Sequence, residues 1–81
     1  MIHAREDYNR IQDPEGLIAD DEPVFLIRAK DINAPAAIRN YADLANESGA
    51  DDDLIISCLN HAKLAEQWQR DNAEVVHVPD L

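Results

Sequence analysis

Apolar and polar positions along the chain are arranged around one stretch, Glu22 to Asp31, which reads Glu-Pro-Val-Phe-Leu-Ile-Arg-Ala-Lys-Asp. It holds the densest apolar run, Val24 to Ile27, fenced by acids on both sides. Pro23 and Asp31 bound the run, and its β-branched and aromatic members predict a short strand over Val24–Ala29. A helix capped by Asp21, with Pro23 in its first turn, is the rival that so short a run leaves open.

Two helical patterns follow. Asn33 reads as the cap of the first, because its side chain can accept a bond from a first-turn N–H. Pro35 falls in that first turn, where its missing N–H costs nothing. Ala34, Ala37, Ile38, Tyr41, Leu44, Ala45 and Ser48 then share one stripe, so a helix is expected from Ala34 to Glu47, with Gly49 closing it. Asp51 reads as the cap of the second helix, with Asp52 and Asp53 at the positive end of its dipole and Arg70 at the other end. Its apolar arc is broad: Ile55, Leu59, Ala62 and Trp68, with Leu54, Cys58, His61 and Ala65 along one edge. An arc that wide predicts contact on two sides, with the first helix and with something else. The short Ser48-Gly49-Ala50 link makes the helices antiparallel neighbours.

Asp71-Asn72 ends the helical pattern. The β-branched Glu74–Val78 stretch reads as a second short strand, stopped by Pro79. The expected fold is therefore a small α+β domain over residues 22–81. An antiparallel helical hairpin is flanked by one or two short strands in β-α-α-β order, and the Glu22–Asp31 stretch covers the apolar side of the hairpin. Residues 1–21 show no strong period and read as an extended acidic N-terminal arm. Asp13-Pro14-Glu15-Gly16 is a turn within it. The arm is either frayed or ordered by docking Tyr8, Ile11 or Leu17 onto the core or a neighbouring subunit.

Length sharpens this picture. A domain of 81 residues buries about 60–65% of the surface of its unfolded chain, and one core of that size supplies roughly 3–5 kcal/mol. The single cysteine, Cys58, forms no internal disulfide, so a homo-oligomer in a reducing cytoplasm is expected. Charge adds more: 17 acids stand against 7 Lys and Arg, a net charge of −10. Such a surface repels nucleic-acid phosphates and anionic membranes and attracts basic protein surfaces. No apolar stretch is long enough to span a membrane, and the start of the chain lacks the apolar segment of a secretion signal.

Candidate chemistry is sparse. Cys58 and His61 are three apart on a helix, and His77 adds a third metal-ligand type, but the set matches no zinc spacing, so no metal is expected. Neither acidic run has the alternating ligands of a calcium loop. No phosphate loop or nucleophile turn is present, and no cofactor or catalytic residue is assigned. The scarce basic residues carry more information. Arg28, Lys30 and Arg39, with Phe25 or Tyr41 as a stacking face, form a candidate pocket for a small anion. The competing reading is an ion pair of Arg28 or Arg39 with Asp31 or Asp43. Trp68, Tyr8 and Leu17 are candidate interface residues.

The Glu22–Asp31 stretch, with Ala34-Pro35, Arg39, Tyr41-Ala42 and the closing Val78-Pro79-Asp80, resembles small phage and prophage proteins. The likeness spans roughly residues 20–81 and leaves out the acidic arm. It implies a bacterial host cytoplasm and an accessory phage role without specifying an activity. Three functions follow as expectations. The first is a non-enzymatic acidic factor that binds a host or phage protein, as an inhibitor or DNA mimic. The second is an oligomer that binds a small anionic ligand such as a nucleotide signal. The third is a structural virion or assembly component.

Overall fold

The computed structural model describes residues 1–5 and 12–79. Its first helix, α1, spans Ala34–Glu47, and its second, α2, spans Asp52–Asp71. Pro35 sits in the first turn of α1 as the sequence predicts. The caps are built differently. Asn33 has a helical backbone (φ −86°, ψ −7°), and its side chain makes no capping bond. The Asp31 carboxylate instead accepts the Asn33 N–H at 2.8 Å, an Asx turn that leads the chain into the helix. Asp51 is extended, and it too makes no side-chain capping bond. What Asp52 and Asp53 contribute at this end is negative charge on the helix dipole.

Gly49 ends α1 with φ +83°. Its N–H donates to the Asn46 carbonyl at 3.1 Å, and the Ala50 N–H donates to the Ala45 carbonyl at 2.9 Å. These two bonds form the Schellman closure that a left-handed glycine permits. A β-carbon added at Gly49 would meet nothing within 4 Å, so Gly49→Ala tests the backbone term alone. We expect it to cost about 1 kcal/mol, read as a lowered urea midpoint with an unchanged slope.

The helices pack against each other through small side chains. Ala34, Ala42 and Ala45 of α1 and Ala62 and Ala65 of α2 are buried, whereas no large side chain among the described residues is fully buried. Alanine seams let helix axes approach at the short end of the usual 8–10 Å. The predicted α1 stripe is thereby divided. Ala37 and Ile38 are half-buried, while Tyr41 and Leu44 stay exposed at its edge.

The β-α-α-β order needs correction. A two-residue strand, β1 (Ile2–His3), runs parallel to β2 (Pro23–Val24), with Ile2 opposite Pro23 and His3 opposite Val24. The Ile2 N–H donates to the Glu22 carbonyl at 2.8 Å, and the terminal ammonium donates to the carbonyls of Ala19 and Asp20. The Val24–Ala29 run is thus strand only at its head. A strand lasts only as long as its partner ladder, and a turn closed by Asp31 N–H on the Arg28 carbonyl ends the extension. The predicted Glu74–Val78 strand is also corrected. Ala73–Val75 forms a 3-10 turn, because after α2 the backbone finds its nearest acceptors locally, Val75 N–H on the Asn72 carbonyl at 3.0 Å. Val24–Ala29 does not pair with Glu74–Val78; one parallel bridge, Asp31 with His77, joins the residue beyond the first stretch to the second. There the Lys30 carbonyl accepts the His77 N–H, and the His77 carbonyl accepts the Ile32 N–H.

The Asp13–Gly16 turn is present. Gly16 has φ +64° and donates its N–H to the Asp13 carbonyl. The Asp13 carboxylate accepts the N–H groups of Leu17 and Ile18, each at 3.0 Å. Leu17 itself is 78% exposed, and Tyr8 and Ile11 lie outside the described residues.

Candidate functional site

The described surface offers an apolar groove of about 170 Å³ between the helices and the loop that precedes them. Ile27 and Ala29 come from the loop, Ala34 and Ile38 from α1, and His61, Leu64, Ala65 and Trp68 from α2. The helical contributors are spaced by three and four residues, which puts them on one side of each helix. A dry cavity of about 150 Å³ accommodates a ring the size of benzene, so the groove has room for one large apolar side chain. Among its lining side chains, His61 supplies the polar group. Ile27 and Ala29 thus line the groove, but Ile27 is 41% and Phe25 75% exposed, so the Glu22–Asp31 stretch covers the helices less than the sequence suggests.

One residue that the sequence reading did not single out holds the loop in place. The Gln69 side-chain amide donates to the Ala29 carbonyl and to the Asp31 carbonyl, each at 2.9 Å. The signal was available: Gln69 continues the 62–65–69 spacing of the buried alanines, where an apolar residue would be ordinary. Gln69→Ala takes the donor from the Ala29 carbonyl and leaves the Asp31 carbonyl with the Ala34 N–H alone. We expect a loss of about 1–2 kcal/mol and faster hydrogen exchange at Ile32 and His77, whose bridge depends on the same loop.

The basic residues are not gathered into one pocket. Arg39 donates to Glu66 of α2, forming an ion pair in place of the Asp31 or Asp43 partner weighed from sequence. Two residues apart on a helix, Arg39 and Tyr41 point to opposite sides of α1. Lys30 is half-buried at the His77 bridge, and Arg28 is exposed at the start of the turn before α1. Cys58 does not line the groove with His61. No group of three or more His, Cys, Asp and Glu that could hold a metal ion occurs among the described residues.

Each helix carries a second stripe beside its alanine seam. On α2 the seam follows Ile55, Cys58, Ala62, Ala65 and Gln69. A parallel row at the same three-four spacing holds Leu54, Ser57, His61, Leu64 and Trp68. On α1 the second row holds Ala37, Tyr41 and Leu44. Neither row holds an Asp, Glu, Lys or Arg as far as Leu44 and Trp68, and the next α2 position at this spacing is Asp71, the last residue of the helix. The groove takes in His61, Leu64 and Trp68 of the α2 row, and neither Arg39 nor Glu66 lines it.

No family model, no curated protein and no solved structure matches this chain. Among the described residues, no helix is long and apolar enough to cross a membrane. The surface itself must therefore carry the functional argument.

Proposed function

We propose that this chain is a non-enzymatic acidic binding factor that acts by engaging a basic surface on another protein, working as an assembly of identical copies. Its two helices form an antiparallel hairpin, a reading supported by the short link between them and by the Arg39–Glu66 pair across them. The observation that carries the function is how the carboxylates are placed. Asp43, Glu47, Asp53 and Asp71 are all exposed on the sides of α1 and α2 turned away from the seam, and Asp20, Asp21 and Glu22 are exposed ahead of β2. With a net charge of −10, such a surface steers a cationic partner and repels phosphates. The likeness of Glu22–Asp31 to phage proteins makes a host or phage protein in a bacterial cytoplasm the partner class.

The test is capture of partners from phage-infected cells by the full chain, followed by binding measured against ionic strength. A partner with a basic contact surface, bound less tightly as salt rises, supports the reading. Affinity that is indifferent to salt, or unaffected by changing Asp43, Glu47 and Asp53 to their amides, would remove it.

A further inference from the structure

We infer that the side of the helix pair bearing the apolar rows is the contact between two copies of this chain, packed face to face about a two-fold axis as a four-helix arrangement. This deepens the proposal of an assembly of identical copies and rests on it.

Three observations carry the inference. The first is area. A compact monomer of 9.1 kDa exposes about 4,900 Å², whereas this chain exposes 6390 Å². The excess, about 1,500 Å², is shared between the exposed stretch ahead of α1 and the exposed apolar rows of the helices. The radius of gyration agrees: 14.1 Å against about 11.7 Å for a compact chain of this length.

The second is where the uncovered apolar surface lies. Tyr41, Leu44, Leu54, Leu64 and Trp68 are exposed large side chains on the second rows of the two helices. Leu64 is 61% exposed in the middle of its row. Contiguous apolar surface of this kind on a small protein marks an interaction site. Three-four spacing is the pattern that packs helix against helix, and α2 repeats it twice, once for α1 and once with no helix of its own chain to meet.

The third is charge, which selects the occupant. A basic partner would be read by carboxylates, and the rows hold none between Leu54 and Trp68, with Asp71 only at the end of the α2 row. An uncharged apolar face is complementary to itself, and two-fold symmetry brings the same patch onto its copy. Face-to-face packing also leaves Asp43 and Glu47 of α1 on the outside of both copies. The groove beside Leu64 and Trp68 would take an apolar side chain from the opposite copy, with its own counterpart filling the other groove.

The experiment is sedimentation of the full chain across concentration, with Trp68 as an internal reporter, since it is the single tryptophan. The parent is expected to dimerise, and acrylamide quenching of Trp68 is expected to fall several-fold as it does. Leu64→Glu is expected to weaken the dimer by about 100-fold or more, because it buries an unpaired carboxylate, while helical circular dichroism is retained. Asp43→Asn, on the outer side, is expected to leave the dimer intact. A parent that oligomerises with Trp68 as open to quencher as before would overturn the assignment of this face yet leave the assembly proposal standing. So would a Leu64→Glu variant that oligomerises normally. A parent that stays folded and monomeric at all concentrations would sink both.

Discussion

Ala62→Leu is expected to destabilise the chain by about 3 kcal/mol, most of the roughly 3–5 kcal/mol that a core of this size supplies. Ala62 is 0% exposed, and the side chains buried with it are also alanines. The buried side chains of the seam are small, so a rotamer change there makes little room. Three added carbons must push α2 away from α1. That displacement also draws Gln69 away from the Ala29 and Asp31 carbonyls, so the loop ahead of α1 loses its tie to α2. Asn60→Leu, which places the same side chain on the outward side of α2, should change stability by no more than about 0.5 kcal/mol. Thermal melts of the two variants, followed by circular dichroism, make the comparison. If Ala62→Leu melted with the parent, the alanine seam would not be the contact that holds the helices together.

The alanine seam also explains which parts of the fold were legible. The helices could be read to within a residue, because Pro35, Gly49 and the Asp51–Asp53 run act locally on the backbone. Their amphipathic stripes were legible too, but not how the stripes divide. Spacing shows that Tyr41 and Ala45 lie on one broad arc. It does not show that Ala42 and Ala45 face α2 while Tyr41 and Leu44 do not, because small side chains pack more closely than large ones and rotate the seam toward themselves. Strands were least legible. Val24–Ala29 has a strong strand composition, yet a strand needs a partner of matching length, and β1 offers two residues. At the site, Ile27 was legible as a cover and Gln69 was not, since a glutamine on a helix is ordinarily a surface residue. An ion pair of the basic group with Asp31 or Asp43 was the alternative to an anion pocket; Arg39 pairs with Glu66, because packing of α1 on α2 joins residues that local spacing does not.

The two proposed contacts should respond to salt in opposite directions, which separates them in a single series of measurements. Each copy carries −10, so self-association works against like-charge repulsion. Raising ionic strength from 0.1 M to 1 M shortens the screening length from about 10 Å to about 3 Å, and the apolar contact itself is not weakened. The dimer is therefore expected to tighten by about tenfold over that range, a modest share of the electrostatic effects seen at charged surfaces. Binding of a basic partner uses the same charges attractively. Its association rate is expected to fall by roughly 10- to 1,000-fold over that range, with dissociation changing less because rim charges act mainly on encounter. Sedimentation of the chain alone and stopped-flow binding of the captured partner read the two trends. A dimer that loosens with salt would mean that ion pairs, and not the rows through Tyr41, Leu64 and Trp68, join the copies. A partner whose association rate ignores salt would mean that the carboxylates of α1 and α2 serve solubility alone. Both trends together would place the two contacts on opposite sides of the helix pair: an apolar side that assembles the protein and an acidic side that faces its target.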